Sequence, residues 1–174
     1  MNLMHNKAKN RLVKSTSIFI AISIAILTTA CTTNRPVATT RRSANTAFPV
    51  GEKVTSSNFT GTVWLQMLVS NDSTYNTSIG NVTFEPKART NWHKHPGGQI
   101  LLVTEGEGYY QEKGKPIHLI KKGDTVKIPP YAEHWHGASP NSSLTHIAIS
   151  PNTDKGSVVW LQPVTDEEYE QSLN

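Results

Sequence analysis

Short apolar runs alternate with turn-forming residues along the chain from Phe48 onward. Within each run, apolar and polar positions alternate with a period of two, which is typical of half-buried β-strands. The pattern predicts strands at 62–69, 79–85, 99–104, 108–113, 117–120, 125–128, 144–150 and 158–162. Short strands separated by turns in this number predict an all-β fold, a double-stranded β-helix or jelly-roll barrel around a small cavity.

The alternation also assigns faces to two of the strands. In 79–85, Gly80 and Val82 share one face, and we expect this face to line the cavity because small residues leave room for a ligand. In 62–69, the face that carries Met67 is expected to be ordinary core. After the last strand, Thr165 followed three residues later by Glu168 predicts a capping box and a short C-terminal helix.

The first 30 residues differ in composition from the rest of the chain. Residues 1–14 carry four basic and no acidic side chains, and residues 15–30 are apolar or small. This is the pattern of a signal peptide, and it is too short for a comfortable membrane span. Cys31, the only cysteine, follows directly and resembles a bacterial lipoprotein cleavage site, which predicts an exported, lipid-anchored envelope protein. Ordinary secretion and a retained anchor are the alternatives.

Charge argues against a nucleic-acid partner. The chain has 17 basic and 13 acidic residues, and removing the four basic residues of the signal peptide leaves 13 of each. The basic pI is therefore due to the targeting segment and does not indicate a surface that binds nucleic acid. Residues 31–47 are polar and are predicted to be a flexible tether, and residues 48–174 are predicted to form one domain around one core.

Two clusters of histidines are the main chemical signal. His93 and His95 lie two residues apart and project from the same face of a strand, and the turn after them returns Gln99 towards the same point. Further on, His134 and His136 repeat the spacing. Three or four imidazoles with one amide oxygen, and no thiolate, suit a divalent ion such as Mn, Fe, Co, Ni or Zn.

These residues carry a family resemblance. The segment 93–106, HKHPGGQILLVTEG, resembles the first cupin motif, with Gln99 where that motif usually has a glutamate. The segment 123–134, GDTVKIPPYAEH, resembles the second, with Tyr131 where a glycine is common. A glycine is also frequent at the position of Lys87. The resemblance implies the jelly-roll barrel and assigns His93, His95, Gln99 and His134 as metal ligands.

Further segments are similar to a narrower group, the small manganese cupins related to bacterial (R)-mandelonitrile lyase. That resemblance implies Mn(II), with Fe(II) or another divalent metal next, and cleavage of an α-hydroxynitrile to an aldehyde and cyanide. His146 or His136 would act as the general base, and Thr90 would contact the substrate together with Gly80 and Val82.

Two alternatives to the lyase stay open. One is a non-catalytic envelope cupin that binds a metal or small ligand, and the other is an Fe(II) dioxygenase. A small-molecule substrate and a homo-oligomer, which would cover exposed strand edges, are expected for the lyase. The protein is expected to contact the membrane only through its N-terminal lipid anchor.

Overall fold

A computed structural model describes residues 47–171. The predicted signal peptide, the lipidation site at Cys31 and the tether up to residue 46 lie outside the described residues. No helix within residues 47–171 is long and apolar enough to cross a membrane.

The described part is built from twelve strands, one 3₁₀ turn and one short helix. The strands are β1 Glu52–Lys53, β2 Phe59–Thr60, β3 Val63–Asp72, β4 Thr77–Phe84, β5 Arg89–Thr90, β6 His93–Lys94, β7 Gln99–Glu112, β8 His118–Lys121, β9 Thr125–Ile128, β10 His134–Ala138, β11 Leu144–Pro151 and β12 Val159–Trp160. The 3₁₀ turn is Thr153–Lys155, and the helix α1 is Asp166–Glu170. This confirms the all-β class and the single helix at the C-terminal end.

All strand pairs are antiparallel, and the sheet follows the order β1-β3-β4-β11-β7-β10-β5-β2. Strands β8 and β9 pair with β7, while β6 pairs with β10 and β12. The main core lies between the two halves of the curled sheet. It contains the buried residues Val63, Val82, Phe84, Leu101, Val103, Tyr110, Ile120, Ile128 and Leu144.

Strand β7 connects the two halves of the barrel. Its first part pairs with β11 and β9, and its second part pairs with β10 and β8. The sequence pattern predicted two strands here, 99–104 and 108–113, and this was wrong because the chain bends at Gly106 without leaving the sheet. Gly106 has φ +72°, and a Cβ there would lie 1.8 Å from the Ser143 carbonyl oxygen.

The helix α1 is held in place by its cap and by aromatic packing. The Glu168 N–H donates to Thr165 Oγ1 at 3.1 Å, and the Thr165 N–H donates to Glu168 Oε2 at 2.9 Å, which confirms the capping box. Tyr169 packs with Trp92 and Trp135 in a second buried cluster. These two tryptophans flank His93 and His134 in the sequence, so the helix packs behind the histidine-bearing strands.

Lys87 and Tyr131, which stand where cupin motifs often have a glycine, both have positive φ angles. Lys87 has φ 68° and Tyr131 has φ 63°, the left-handed conformation that glycine adopts most easily. A residue with a Cβ pays roughly 1–2 kcal/mol for this conformation. Both positions therefore have the conformation that favours glycine, although neither residue is a glycine.

Candidate metal site

Three strands bring the predicted ligands together. His93 opens the two-residue strand β6 and pairs directly with His134, the first residue of β10. His95 follows β6, and the Gly98 N–H donates to its carbonyl at 3.0 Å across a tight turn in which Gly98 has φ +83°. This turn delivers Gln99, the first residue of β7, to the same place.

The imidazoles of His93, His95 and His134 converge. Each offers one nitrogen, and these nitrogens all lie within 4.8 Å of one another. Gln99 Oε1 lies 3.2 Å from His134 Nε2, so the amide oxygen belongs to the same group. All four side chains are at most 9% exposed.

Backbone carbonyls orient two of the rings. His93 Nδ1 lies 2.9 Å from the Asn91 carbonyl oxygen, and His134 Nδ1 lies 2.9 Å from the Ala132 carbonyl oxygen. A carbonyl only accepts hydrogen bonds, so each Nδ1 carries the proton and each Nε2 keeps its lone pair. Metal-binding histidines are commonly held in this way.

The remaining donor atoms also fit a metal ion. His95 Nε2 is buried and has no hydrogen-bond partner among the described residues. His134 Nε2 and Gln99 Oε1 lie 3.2 Å apart, and each presents a lone pair to the other. Two lone pairs repel each other, and a cation bound to both atoms would remove this repulsion. The donor set of three neutral imidazoles and one amide oxygen therefore fits a divalent ion.

Burial keeps these imidazoles neutral. Desolvation lowers the pKa of His134 to about 4, and desolvation together with repulsion from His134 lowers the pKa of His95 to about 4. Desolvation, followed by repulsion from His134, holds the pKa of His93 well below its usual value. Since only neutral imidazole binds a metal, the ligands are already in the binding form at neutral pH.

His136 and His146 lie beside this triad and form a pair of their own. Their rings meet edge to face, with His146 Nε2 3.3 Å from His136 Nδ1. Both are buried, and desolvation holds both pKa values far below normal, to about 4 for His146. His136 lines the central cavity, while His146 lies behind it and is not among the lining residues.

The central cavity has a volume of about 200 Å³ and is mostly apolar. Its lining contains His93, His95, Gln99 and His136 together with Val54, Phe59, Leu65, Met67, Ser78, Gly80, Val82, Phe84, Ala148, Ser150, Val158 and Trp160. It is smaller than the roughly 300–1,000 Å³ of sites for drug-sized ligands. A cavity of about 150 Å³ is enough to hold benzene, so this one fits a ligand with about one substituted ring.

The structure places the other predicted pocket residues as follows. Gly80 and Val82 line the cavity. Thr90 does not line it. Its hydroxyl oxygen instead accepts a hydrogen bond at 3.2 Å from the His136 backbone N–H, so it contacts a cavity residue rather than the cavity itself.

Sequence reasoning missed part of the apolar wall. Leu65 and Met67 were expected to be ordinary core, but both line the cavity, and Met67 is 40% exposed. A shift in the pairing of β3 with β4 between Met67 and Val69 marks a bulge next to the cavity. Strict alternation does not reveal a bulge, and no sequence signal marks this one.

The comparisons with known proteins agree with this geometry. Residues 80–149 match the family model for the cupin domain. The chain belongs to the cupin family. It is 45% identical to an (R)-mandelonitrile lyase from Granulicella tundricola over 111 residues, which cover 64% of this chain and 85% of that protein.

Solved structures show the same fold. The crystal structure of a cupin-like protein from Thermotoga maritima is 52% identical, with a TM-score of 0.71, and the match covers 73% of this chain and 96% of that chain. The polyketide cyclase RemF from Streptomyces resistomycificus is 14% identical with a TM-score of 0.52, covering 71% of this chain and 91% of that one. The likeness to RemF concerns the fold alone.

Proposed function

We propose that this cupin is a metal-dependent lyase of the hydroxynitrile lyase type, which cleaves an α-hydroxynitrile to an aldehyde and hydrogen cyanide. The observation that carries the proposal is the buried donor set, of which His93, His95 and Gln99 line a small apolar cavity that is also lined by the neutral His136. The similarity to an (R)-mandelonitrile lyase supports the reaction class.

The ion we propose is Mn(II), with Fe(II) or another divalent transition metal as the alternative. His93, His95 and His134 would hold it through Nε2, and Gln99 through its amide oxygen. Bound there, the ion would supply a Lewis acid for the substrate hydroxyl. Gln99 adds no negative charge, which favours Lewis-acid chemistry and is less suited to the higher oxidation states of an Fe(II) dioxygenase.

The side chains of the cavity divide the remaining work. The apolar wall, with Leu65, Met67 and Trp160, would hold the hydrocarbon part of the substrate and exclude water. His136 would accept the hydroxyl proton. The carbon–cyanide bond then breaks, its electron pair leaves with cyanide, the carbonyl forms, and His136 returns the proton to give hydrogen cyanide.

His146 would act through His136. Its Nε2 lies within hydrogen-bond distance of His136 Nδ1. When both rings are neutral, one of these two nitrogens carries the proton and donates it to the other. This fixes which nitrogen of His136 faces the cavity. Gln99 and the apolar wall cannot act as a base, and His146 does not line the cavity, so the base would be His136.

The test is cyanide release from racemic mandelonitrile by the purified full chain loaded with Mn(II). The controls are the same protein without metal and the His93→Ala variant. Release that requires both Mn(II) and His93 supports the proposal. Release at the level of the controls, from protein shown to hold Mn(II), would overturn it and favour a cupin that binds a metal or small ligand without catalysis.

We propose the cell envelope as the location, on the basis of the predicted signal peptide and Cys31. Substituting Cys31→Ser should move the protein from the membrane fraction to the soluble fraction, or block processing. Unchanged lipid labelling of the variant would contradict the anchor.

A further inference from the structure

The three histidines of the candidate metal site are not oriented in the same way. The rings of His93 and His134 are held by backbone carbonyls two residues before them, at 2.9 Å in both cases. His95 has no such carbonyl partner among the described residues. Its Nδ1 instead lies 3.4 Å from a side-chain hydroxyl, Ser150 Oγ on β11.

This contact has a consequence for the other nitrogen of the same ring. If His95 Nδ1–H donates to Ser150 Oγ, then Nε2 carries the lone pair, and Nε2 is the buried atom without a partner among the described residues. The same tautomer then holds in all three histidines. Ser150 also lines both the central cavity and the neighbouring surface pocket of about 430 Å³.

We propose that Ser150 is a positioning residue that fixes the tautomer and ring orientation of His95 and thereby sets the affinity of the site for its metal. A backbone carbonyl cannot be removed by substitution, but a serine hydroxyl can. The contact is also 0.5 Å longer than the two carbonyl contacts, which makes His95 the least firmly oriented of the three rings. The proposal rests on the metal site and does not depend on which reaction the protein catalyses.

The neighbouring strand offers a matched control. Ser78 on β4 is the direct cross-strand partner of Ser150 in the sheet and lines the same two spaces. Within residues 47–171 its side chain makes no hydrogen bond to a histidine. Removing the Ser78 hydroxyl therefore changes the polarity of the wall in the same way while leaving His95 oriented.

The experiment compares Mn(II) affinity in the full chain and in the Ser150→Ala, Ser150→Thr and Ser78→Ala variants, measured from free Mn(II) by electron paramagnetic resonance. Loss of such an outer partner typically costs 10–100-fold in metal affinity. Ser150→Ala should weaken Mn(II) binding by about 10-fold or more, with a changed visible spectrum of the Co(II)-loaded protein. Ser150→Thr, which keeps the hydroxyl, and Ser78→Ala should both bind Mn(II) as the wild type does.

Unchanged affinity in Ser150→Ala would overturn the proposal, and so would an equal loss in Ser78→Ala, because the effect would then come from the wall and not from His95. A second measurement needs no variant to fold. Ring-nitrogen NMR of the metal-free wild-type chain should show His95 protonated at Nδ1. Protonation at Nε2 would refute the proposed role of Ser150, whether or not the protein cleaves a hydroxynitrile.

Discussion

Two groups of buried histidines lie side by side in this barrel and differ in what their nitrogens face. In His93, His95 and His134, nitrogens from three rings converge within 4.8 Å. In His136 and His146, the nitrogens face each other at 3.3 Å. All five rings are buried, and all five have lowered pKa values because of desolvation.

Burial and strand spacing therefore do not by themselves place a histidine in the candidate metal site. His134 and His136 are two residues apart on one strand, yet the partner of Nδ1 is a backbone carbonyl in the first and another imidazole in the second. The partner of Nδ1 decides what Nε2 can do. The first group presents converging nitrogens that could hold a metal ion, and the second places nitrogens of two neutral rings within hydrogen-bond distance of each other.

The largest expected effect is the loss of the metal from the triad. His93→Ala removes a ligand whose ring also contacts both neighbouring ligand rings, and it should abolish stoichiometric Mn(II) binding near neutral pH. Metal content after gel filtration measures this. His118→Ala, which removes an exposed histidine on β8, is the control and should keep full metal content. Retained metal in His93→Ala would contradict the ligand assignment.

Substitutions in the pair formed by His136 and His146 are expected to lower activity without releasing the metal. His136→Gln should lower kcat for mandelonitrile cleavage by about 10²–10⁴-fold, the usual contribution of a general base, while Mn(II) content stays the same. His146→Gln should have a smaller effect of the same kind because it acts through His136. If His136→Gln instead loses its metal, the distinction between the two groups is wrong.

Acid should destabilise the metal-free protein through both groups. The pKa values of His95, His134 and His146 are about 4 in the folded chain, against about 6.5 when unfolded. Between these values the unfolded state binds more protons, so stability is full above about pH 6.5 and falls as the pH drops towards 4.

Each of these histidines contributes a slope of up to about 1.4 kcal/mol per pH unit. Urea unfolding of the metal-free chain at several pH values measures the total. His146→Gln should reduce the slope by the contribution of one histidine. Saturating Mn(II) should extend the remaining slope below pH 4, because the bound ion keeps the imidazoles of His95 and His134 unprotonated in the folded state. A slope that is the same in the variant would show that His146 does not titrate with folding.

The smallest effect is expected from Gln99→Glu, which adds a negative charge to the triad. Mn(II) affinity should rise by about tenfold, equivalent to about 1.4 kcal/mol, because a carboxylate compensates the charge of the ion better than an amide does. The rate of hydroxynitrile cleavage should fall, since the ion becomes a weaker Lewis acid. Gln99→Asn, which shortens the side chain without adding charge, is the matched control and should weaken binding.

Much of the fold could be read from the alternation of apolar and polar residues. The predicted strands at 125–128 and 144–150 agree with β9 and β11 to within one residue, and the Thr165 capping box is present. The pattern failed where local chemistry departs from alternation. It divided β7 at Gly106, it gave no sign of the bulge after Met67, and it did not identify the two-residue strands β1, β2 and β5, which pair only because the barrel brings them together.

By itself, the sequence determined which side chains are available for chemistry. The spacing of His93, His95 and Gln99, the glycine turn between them and the absence of a second cysteine are local facts, and a period of two carries them directly into a strand. Only the tertiary structure decided how these side chains are used. It paired His134 with His93, turned His136 towards His146, and placed Ser150 beside His95 across 55 residues of chain. Such contacts depend on strand register between distant segments, and a shift of one residue would send every one of these side chains to the other face of the sheet.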